Sequence, residues 1–275
     1  MMVGNEIDVP AVRTTGLTKE FEGKRVVDNI NLTVGRGVFY GFLGPNGAGK
    51  STTIKMLTGL LVPTGGRIEI LGIDFNTNPL QVKQQIGVVP EDLALFDRLT
   101  GSEYLNFVGR MYGLSRDVVA KRTSELLDVL ALTGHDKKLI VDYSHGMKKK
   151  IALAAALIHS PKMLFLDEPF EGVDAIAAKT MKNLLLSMIA HGATIFLTSH
   201  VLDIVERLCT HIGIINKGSL VAQGSINELR IGIDMRHNNI KDPSTKTTLT
   251  LEEIFVEIIE GGHERSEPVL TWLAE

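Results

Sequence analysis

A glycine-rich turn between an apolar strand and a helix constrains the fold of this chain more than any other sequence feature. It lies in the stretch GVFYGFLGPNGAGKSTTIKMLTGLL, where residues 37–43 are predicted to form a buried strand and Lys50 to Leu60 a helix that ends near Gly59 and Pro63. The turn fits the pattern G-x-x-x-x-G-K-[ST] in the strand-turn-helix context that this motif requires. Its glycines let successive backbone N–H groups point at one anion, and the helix N-terminus adds positive charge. The chain is therefore predicted to bind the phosphates of a nucleotide.

Each residue of this turn is a candidate nucleotide-binding residue. The set comprises Gly44, Pro45, Asn46, Gly47, Ala48, Gly49, Lys50, Ser51 and Thr52. Lys50 is expected to reach the β- and γ-phosphates, which makes it a candidate catalytic residue as well. The Ser51 hydroxyl is expected to ligate Mg²⁺.

A second, acidic element follows a buried strand later in the chain. Met163 to Leu166 are four apolar residues in a row, which indicates a parallel strand buried on both faces. The strand ends in Asp167, Glu168 and Pro169. Ligands of open α/β sheets bind beyond the carboxyl ends of the strands, so Asp167 is expected near the phosphate loop as a Mg²⁺ ligand. Glu168 is the predicted catalytic residue that activates or orients the attacking water.

The remaining sequence predicts alternating strands and helices with one helical insertion. Residues 92–158 form this insertion, in which two helices are expected to start at Ser102 and Ser115. Three further segments are expected to be a half-buried strand (NINLTV), a buried strand (ATIFLTSH) and a hairpin (IGIINKGSLVAQG). The predicted fold is α/β: a P-loop NTPase core with a mostly parallel sheet, an N-terminal antiparallel β subdomain and an inserted α-helical subdomain.

Three lysines stand at the start of another predicted helix. In YSHGMKKK, residues 143–150, Ser144 is placed to cap a helix that continues through the apolar run IALAAALI. Lys148, Lys149 and Lys150 then fall in or beside the first turn, where the helix dipole disfavours cations by about 0.3 to 1 kcal/mol each. Either an anion lies nearby or the helix start is solvated, and this short stretch alone favours a solvated start.

Composition and charge narrow the class of protein. The formal net charge of −3 and the pI near 6.3 give no electrostatic basis for nucleic-acid binding. We expect no signal peptide, and the longest apolar stretch, Ile151 to Leu166, is interrupted by HSPK. Neither of its pieces reaches the roughly 20 apolar residues of a membrane span. The chain is predicted to be soluble and cytosolic, so any membrane role depends on a partner.

Taken together, these motifs resemble the ATP-binding subunit of an ABC transporter over about residues 11–229. GPNGAGKST matches the Walker A motif, MLFLDE Walker B, YSHGM the signature motif and TSH the switch-histidine loop, in matching order and spacing. Phe21 matches the aromatic position on which adenine stacks, and Asp174 in EGVD matches the D-loop aspartate. The resemblance implies that His200 acts at the γ-phosphate and that ATP and Mg²⁺ are the cofactors of an ATPase.

The resemblance also implies a dimer and a membrane partner. The signature residues are Ser144, His145, Gly146 and Met147. In a head-to-tail dimer, Ser144 and Gly146 would contact the γ-phosphate of ATP bound to a second ATPase subunit, and that phosphate would be the anion expected beside the three lysines. A separate membrane-embedded transporter subunit would contact the segment Glu91 to Thr100 and hold the chain peripherally at the cytoplasmic face of the cell membrane. No nucleic acid is expected as a partner.

Two residues depart from the family pattern. Glu91 stands where the family usually has a glutamine after the strand IGVVP, and Met147 stands where the signature usually ends in glutamine. The Glu91 carboxylate adds negative charge beside the metal, so it is a third candidate Mg²⁺ ligand with Ser51 and Asp167. Signatures of the YSKGM kind occur in a bacterial ABC-2-type exporter branch, and likeness to that branch predicts export.

We divide the chain into an ATPase domain, residues 1–230, and a C-terminal segment, residues 231–275. The segment contains the polar stretch RHNNIKDPSTKT, and Thr250 and Glu253 then form a predicted capping box. The apolar face of the helix that follows comprises Leu251, Ile254, Phe255 and Ile258. This helix is expected to dock on the chain's own body, and partner binding is the alternative.

Two functions other than transport are alternatives for a chain with these motifs. A soluble ABC ATPase acting on nucleic acid or ribosomes usually carries a long coiled coil or two cassettes, whereas this chain has one cassette and no basic surplus. A small-molecule P-loop kinase needs an acceptor pocket and leaves the signature motif unexplained.

Overall fold

The computed structural model describes residues 9–135, 137–236 and 249–260. The strands, β1 to β11 in chain order, are Val12–Phe21, Lys24–Ile30, Thr33–Val34, Phe39–Leu43, Gly65–Ile70, Ile73–Asp74, Ile86–Val89, Met163–Asp167, Thr194–Thr198, His211–Asn216 and Ser219–Ser225. The α-helices, α1 to α9, are Lys50–Leu57, Pro79–Gln85, Gly101–Met111, Arg116–Val129, His145–Leu157, Ala175–Ala190, Leu202–Leu208, Ile226–Arg236 and Leu251–Glu260.

Two sheets form the body of the described chain, and they confirm the predicted fold class. The larger sheet has six strands in the order β11-β10-β4-β9-β8-β7, of which β10, β4, β9, β8 and β7 run parallel. β11 adds antiparallel to β10 through the predicted hairpin. The smaller sheet is antiparallel, in the order β2-β1-β5-β6 with β3 paired to β1. In parallel strands the carboxyl ends meet at one edge, so the residues after β4, β7, β8 and β9 are brought together.

Both faces of the larger sheet are buried at its central strands β4, β9 and β8, but different side chains cover them. The face toward α1 and the antiparallel sheet carries four aromatic rings from β4, β8 and β9, with centroids 5.4 to 5.6 Å apart where they pair: Tyr40, Phe42, Phe165 and Phe196. The opposite face, toward α5 and the helical insertion, is mainly aliphatic: Leu43, Leu164, Leu166, Ile195 and Leu197. Every residue of β8 is buried, as its continuous apolar sequence predicted.

The helical insertion contains α3, α4 and α5, and one of its predicted caps was wrong. Thr100, not Ser102, caps α3: its hydroxyl accepts from the Glu103 N–H at 3.2 Å, and the Glu103 carboxylate accepts from the Thr100 N–H at 2.8 Å. This reciprocal pair satisfies two backbone donors and starts the helix earlier than Ser102 allows. Ser115 caps α4 as expected.

Two predicted bounds also change. The strand before the phosphate loop begins at Phe39 rather than Gly37, and α1 ends at Leu57 rather than Leu60. NINLTV is not one strand, because the Thr14 hydroxyl on β1 donates to the Ile30 carbonyl at 2.8 Å and accepts from the Leu32 N–H at 2.9 Å. In the gap between β2 and β3, this side chain takes part of the pairing with β1 that backbone groups would otherwise make, while the Thr14 N–H donates to the Leu32 carbonyl at 2.9 Å.

The C-terminal helix α9 docks on the body of the chain, as predicted. Thr250 and Glu253 form the expected capping box, with the Thr250 N–H donating to the Glu253 carboxylate at 2.7 Å. Leu251 and Ile254 are fully buried in the same apolar core as α5. Arg230 joins α8 to α9, because it donates to the Leu249 carbonyl and pairs with Glu206 on α7. α8 spans the proposed boundary at residue 230, which stays a prediction; residues 237–248 and 261–275 lie outside the described chain.

Candidate nucleotide site

The phosphate loop lies between the end of β4 and the start of α1, where predicted. Gly47 and Gly49 adopt positive φ angles of 78° and 109°, which L-residues with a side chain rarely adopt. A Cβ on Gly44 would lie 2.3 Å from the Ile215 carbonyl oxygen, so backbone contact also requires glycine there. The N-cap of α1, Gly49, makes no side-chain cap hydrogen bond, and no acidic residue occupies the first turn. The N-terminal N–H groups are thus left to an acceptor that the helix itself does not supply.

Lys50 folds back over this loop. Its Nζ donates to the Gly44 carbonyl at 2.8 Å and lies 3.4 Å from that of Pro45, and the residue is only 8% exposed. An ammonium held at the loop mouth can exchange these carbonyl oxygens for phosphate oxygens without a large movement of its stem.

Three oxygen-bearing side chains meet beside Lys50. The Ser51 hydroxyl lies 3.2 Å from the Glu91 carboxylate and 3.4 Å from the Asp167 carboxylate. The Thr198 hydroxyl donates to the same Asp167 oxygen, Oδ1, whereas Asp167 Oδ2 is buried with no hydrogen-bond partner in the described chain. Burial raises the pKa of Asp167, and the Thr198 hydrogen bond opposes that rise.

These oxygens fit a Mg²⁺ ion. Mg²⁺ is usually held by one or two carboxylates together with water and substrate phosphates, and the unpartnered Asp167 Oδ2 is a buried anionic oxygen of the required kind. The described residues contain no group of three or more His, Cys, Asp or Glu side chains arranged as a metal site. A metal here would therefore take part of its coordination from Ser51 and from the nucleotide.

Glu168 is the best-restrained carboxylate of the site. Its N–H lies 3.2 Å from both the carbonyl and the hydroxyl oxygens of Thr198, and its φ of 46° is left-handed, which is uncommon for a residue other than glycine. Its Oε2 accepts from the His200 N–H at 3.3 Å and lies 3.0 Å from His200 Nδ1. The end of β9 therefore fixes both the backbone and the carboxylate of Glu168.

A cavity of about 430 Å³ is lined by nine of the predicted site residues, and Asp167 is not one of them. Its lining comprises Val26, Asn46, Gly47, Gly49, Lys50, Ser51, Thr52, Glu91, Glu168, Glu171 and His200. Glu171 was not predicted from the sequence. Its signal was present, since it is an acidic residue three positions after Glu168 in the same loop.

Phe21 ends β1 and is 44% exposed, with Lys19 Nζ 4.9 Å from its ring centroid. It does not line the cavity. The open ring face leaves room for a base, and adenine stacking on Phe21 stays a prediction.

The signature residues lie together elsewhere, at the start of α5. Ser144 is exposed and caps the helix, accepting from the Met147 N–H at 3.3 Å. The His145 ring donates to the Glu171 carbonyl at 3.2 Å. A Cβ on Gly146 would lie 3.5 Å from the carboxylate of Asp174. None of the residues from Ser144 to Met147 lines the cavity.

Asp174 caps α6 and thereby orders the loop beside the signature. Its Oδ1 accepts from the N–H groups of Ala177 at 2.9 Å and Ile176 at 3.0 Å. The Ala177 hydrogen bond is the main cause that holds the pKa of Asp174 below its usual value. The signature and the D-loop aspartate thus form one surface.

The solvated helix start was a wrong prediction for Lys149 and Lys150. Lys149 is 1% exposed and donates to the Glu168 carbonyl at 3.1 Å, and Lys150 is also buried. Only Lys148 is partly solvated, 3.8 Å from Asp97. Burial lowers the pKa of Lys149, against the raising effect of Glu171 and of the other carboxylates at the site.

Comparison with known proteins agrees with this arrangement. The ABC transporter family model matches residues 27–171. The chain is 39% identical to the bacitracin transport ATP-binding protein BcrA of Bacillus licheniformis, over 80% of this chain and 71% of BcrA. It is 38% identical to the daunorubicin/doxorubicin resistance ATP-binding protein DrrA of Streptomyces peucetius, over 80% of this chain and 67% of DrrA. A solved dimeric, post-hydrolysis ATP-binding cassette bound to ADP and Pi has the same fold, with a TM-score of 0.73 at 24% identity, over 78% of this chain and 98% of that one.

Proposed function

The chain belongs to the ABC transporter family, and from this premise we propose that it hydrolyses ATP to power export through a separate membrane-embedded subunit. One observation carries the proposal. The cavity is lined by residues of the phosphate loop, by Glu168 and by His200, whereas the signature residues, of which Ser144 and His145 are exposed, lie outside it. A site divided in this way is completed by a second ATPase subunit.

Within the cavity each side chain has a distinct task. Lys50 and the N–H groups of the loop bind the β- and γ-phosphates of ATP. Mg²⁺, held by Ser51, Asp167 and Glu91, would neutralise the charge that develops on those phosphates. Glu168 orients or deprotonates the attacking water, and His200 keeps its carboxylate aimed at the γ-phosphate through the 3.0 Å contact.

The second subunit would present its signature to this γ-phosphate. Ser144 suits the task because its oxygen already accepts from Met147, which leaves the hydroxyl proton free to be donated. Ile176 lies beside Asp174 and is 80% exposed, so an apolar side chain is available at the same surface. The solved cassette of the same fold is itself a dimer. Together these features support a head-to-tail dimer, formed by two copies of this chain or by this chain and a close relative.

A second cleft is the proposed contact for the membrane subunit. It has a volume of about 350 Å³, lies between β7 and the helices α3 and α5, and includes Leu93, Ala94 and Leu95 of the predicted contact segment. Phe96, which is 54% exposed, packs on Tyr104 and Phe107 at its rim. In the described part of the chain, no helix has both the length and the apolar character of a membrane span. The mainly apolar lining suits an apolar cytoplasmic segment of the membrane subunit as the occupant. Relatives named for bacitracin transport and for daunorubicin/doxorubicin resistance support an exporter subunit.

The deciding experiment is ATP-driven dimerisation of the Glu168→Gln variant, measured by sedimentation. Loss of the carboxylate blocks hydrolysis, so the ATP-bound dimer should accumulate. Adding Gly146→Glu should abolish it, because a new carboxylate would repel the γ-phosphate in a desolvated interface. A protein that stays monomeric with saturating ATP, or that dimerises regardless of Gly146, would refute the divided site.

The membrane partner is tested separately, by co-purification from membranes. An intact chain should retain a hydrophobic subunit. Replacing Leu93 and Leu95 with glutamate should release it while ATP-driven dimerisation of the Glu168→Gln variant persists. Retention of the partner by the glutamate variant would exclude the cleft.

A further inference from the structure

Lys149 is a buried cation that the proposed reaction does not use. It lies on α5, three residues after the signature glycine, and is one of the largest fully buried side chains in the described part of the chain. A buried ammonium is costly unless its donors find acceptors and opposite charge lies nearby. The groups around the Lys149 ammonium therefore indicate which part of the structure it stabilises.

The Lys149 ammonium contacts the backbone of two site residues. Its Nζ lies 3.1 Å from the Glu168 carbonyl oxygen and 3.5 Å from that of Glu91. The side chains of both residues line the nucleotide cavity. The carboxylates of Glu171, Glu91, Asp167 and Glu168 all act on it electrostatically. One cation therefore links the signature helix to the ends of β7 and β8.

Glu168 needs such a restraint because its backbone is in an uncommon conformation. A φ of 46° persists in a residue other than glycine only when the surroundings enforce it. Thr198 accepts from the Glu168 N–H, which belongs to the peptide unit before this residue, at 3.2 Å. The carbonyl side is held by Lys149 and by the Glu171 N–H, which donates to the same oxygen at 3.3 Å.

We propose that Lys149 is a positioning residue that fixes the Glu168 carboxylate and couples it to the signature helix. When a partner phosphate engages the start of α5, any shift of that helix moves the Lys149 ammonium and, with it, the Glu168 peptide unit. A structural lysine would support folding alone, whereas a positioning lysine acts through Glu168. The inference rests on the proposed ATPase function.

The test is a double-mutant cycle of Lys149→Met and Glu168→Gln. Lys149→Met keeps the apolar stem and removes the donors, so kcat should fall about ten-fold or more while the Kd for ATP stays within about two-fold, as expected for a misplaced catalytic group. In the Glu168→Gln chain, Lys149→Met should lower the residual rate by less than about two-fold, because the carboxylate through which Lys149 acts is already absent. The control is Lys121→Met, which removes an exposed lysine on α4, 3.9 Å from Glu125 and outside the proposed site, and should leave kcat unchanged.

Each alternative result is informative. A full ten-fold loss in both backgrounds, or equal effects of Lys149→Met and Lys121→Met, would overturn the positioning role and leave the ATPase function intact. A native chain that hydrolyses no ATP would overturn both. If Lys149→Met does not fold, as judged by thermal melting, the same cycle is run with Lys149→Arg, which keeps the cation but displaces the donor. It should lower kcat about three-fold, and only when Glu168 is present.

Discussion

The two helix N-termini proposed to bind phosphate, those of α1 and α5, differ in how they are capped and in where they lie. At α1 a cavity within one chain is lined by loop glycines, by Lys50 and by the glutamates Glu91, Glu168 and Glu171. At α5 the first turn is capped by Ser144 and lies at an exposed surface beside Asp174. The first turn of α1 has no side-chain cap, whereas that of α5 already has one of its donors satisfied.

The difference shows that a helix N-terminus can supply one part of an anion-binding site while a second molecule supplies the rest. The uncapped N–H groups of α1 lie at a cavity with Lys50, so the proposed site there can bind a phosphate within one chain. A capped, exposed start binds an anion weakly and gains importance only when another molecule delivers that anion. Affinity should therefore depend on α1, and association should depend on α5.

The largest expected effect separates binding from chemistry at α1. Lys50→Ala should lose nucleotide binding, because it removes the only lysine or arginine that lines the cavity in the described part of the chain. Glu168→Gln should keep ATP affinity while hydrolysis falls by roughly 10² or more, the usual scale for lost acid-base help. Equilibrium binding and steady-state ATPase assays measure the two effects. Hydrolysis by Glu168→Gln at the native rate would remove Glu168 from the mechanism.

At α5 the sharpest change is Gly146→Ala, for which stability and function should move in opposite directions. The new Cβ would lie 3.5 Å from Asp174 Oδ2 and 3.9 Å from Ala177 Cβ, which is ordinary contact. Alanine in place of helical glycine should raise the free energy of unfolding by about 0.5 to 1 kcal/mol. A methyl group between the phosphate and the backbone N–H should weaken ATP-driven dimerisation about ten-fold. Denaturant titration and sedimentation in the Glu168→Gln background test this, and unimpaired dimerisation would contradict a trans site.

A substitution at Glu91 tests whether its carboxylate belongs to the proposed Mg²⁺ site beside α1. If its carboxylate reaches the metal, Glu91→Gln should raise the Mg²⁺ concentration for half-maximal turnover several-fold and alter nucleotide affinity less. Titration of ATPase activity with Mg²⁺ decides it. Superimposable curves for the two proteins would place Glu91 outside the metal site.

The smallest expected effect compares two serine caps. Ser144→Ala and Ser115→Ala each remove one cap of the same kind, on α5 and α4, and each should lower the free energy of unfolding by about 1 kcal/mol. Only Ser144→Ala should also weaken ATP-driven dimerisation. Equal dimerisation by both variants would reduce Ser144 to a structural cap.

Sequence reasoning succeeded where backbone preference is local. The phosphate loop, the buried strand before Asp167 and the Ser144 cap are each encoded within about ten residues, because glycines, continuous apolar runs and capping residues act on their immediate neighbours. The fold class followed from their alternation. The Thr100 cap was within reach as well, since Thr100 and Glu103 have the spacing of a capping box.

The burial of Lys149 could not be predicted in this way. Its acceptors, on Glu168 and Glu91, lie 19 and 58 residues away along the chain. A lysine near a helix start is usually solvated. Lys149 is buried here because the tertiary fold packs α5 against the ends of β7 and β8, whose carbonyl oxygens accept from it. Glu171 was missed for a related reason, because its place at the cavity depends on how the loop after β8 turns.

The two unlike faces of the large sheet also bear on misfolding. Where one face of a sheet meets water, polarity opposes a strand that slips by one residue. Here both faces are buried, so Phe165 and Leu164 could exchange sides without exposing either to water. Side-chain volume opposes the slip. An aromatic ring forced into the aliphatic layer overpacks that layer, which costs about 1 to 3 kcal/mol, and it leaves a void in the aromatic layer. The pairing register of these central strands is therefore specified by side-chain size rather than by polarity.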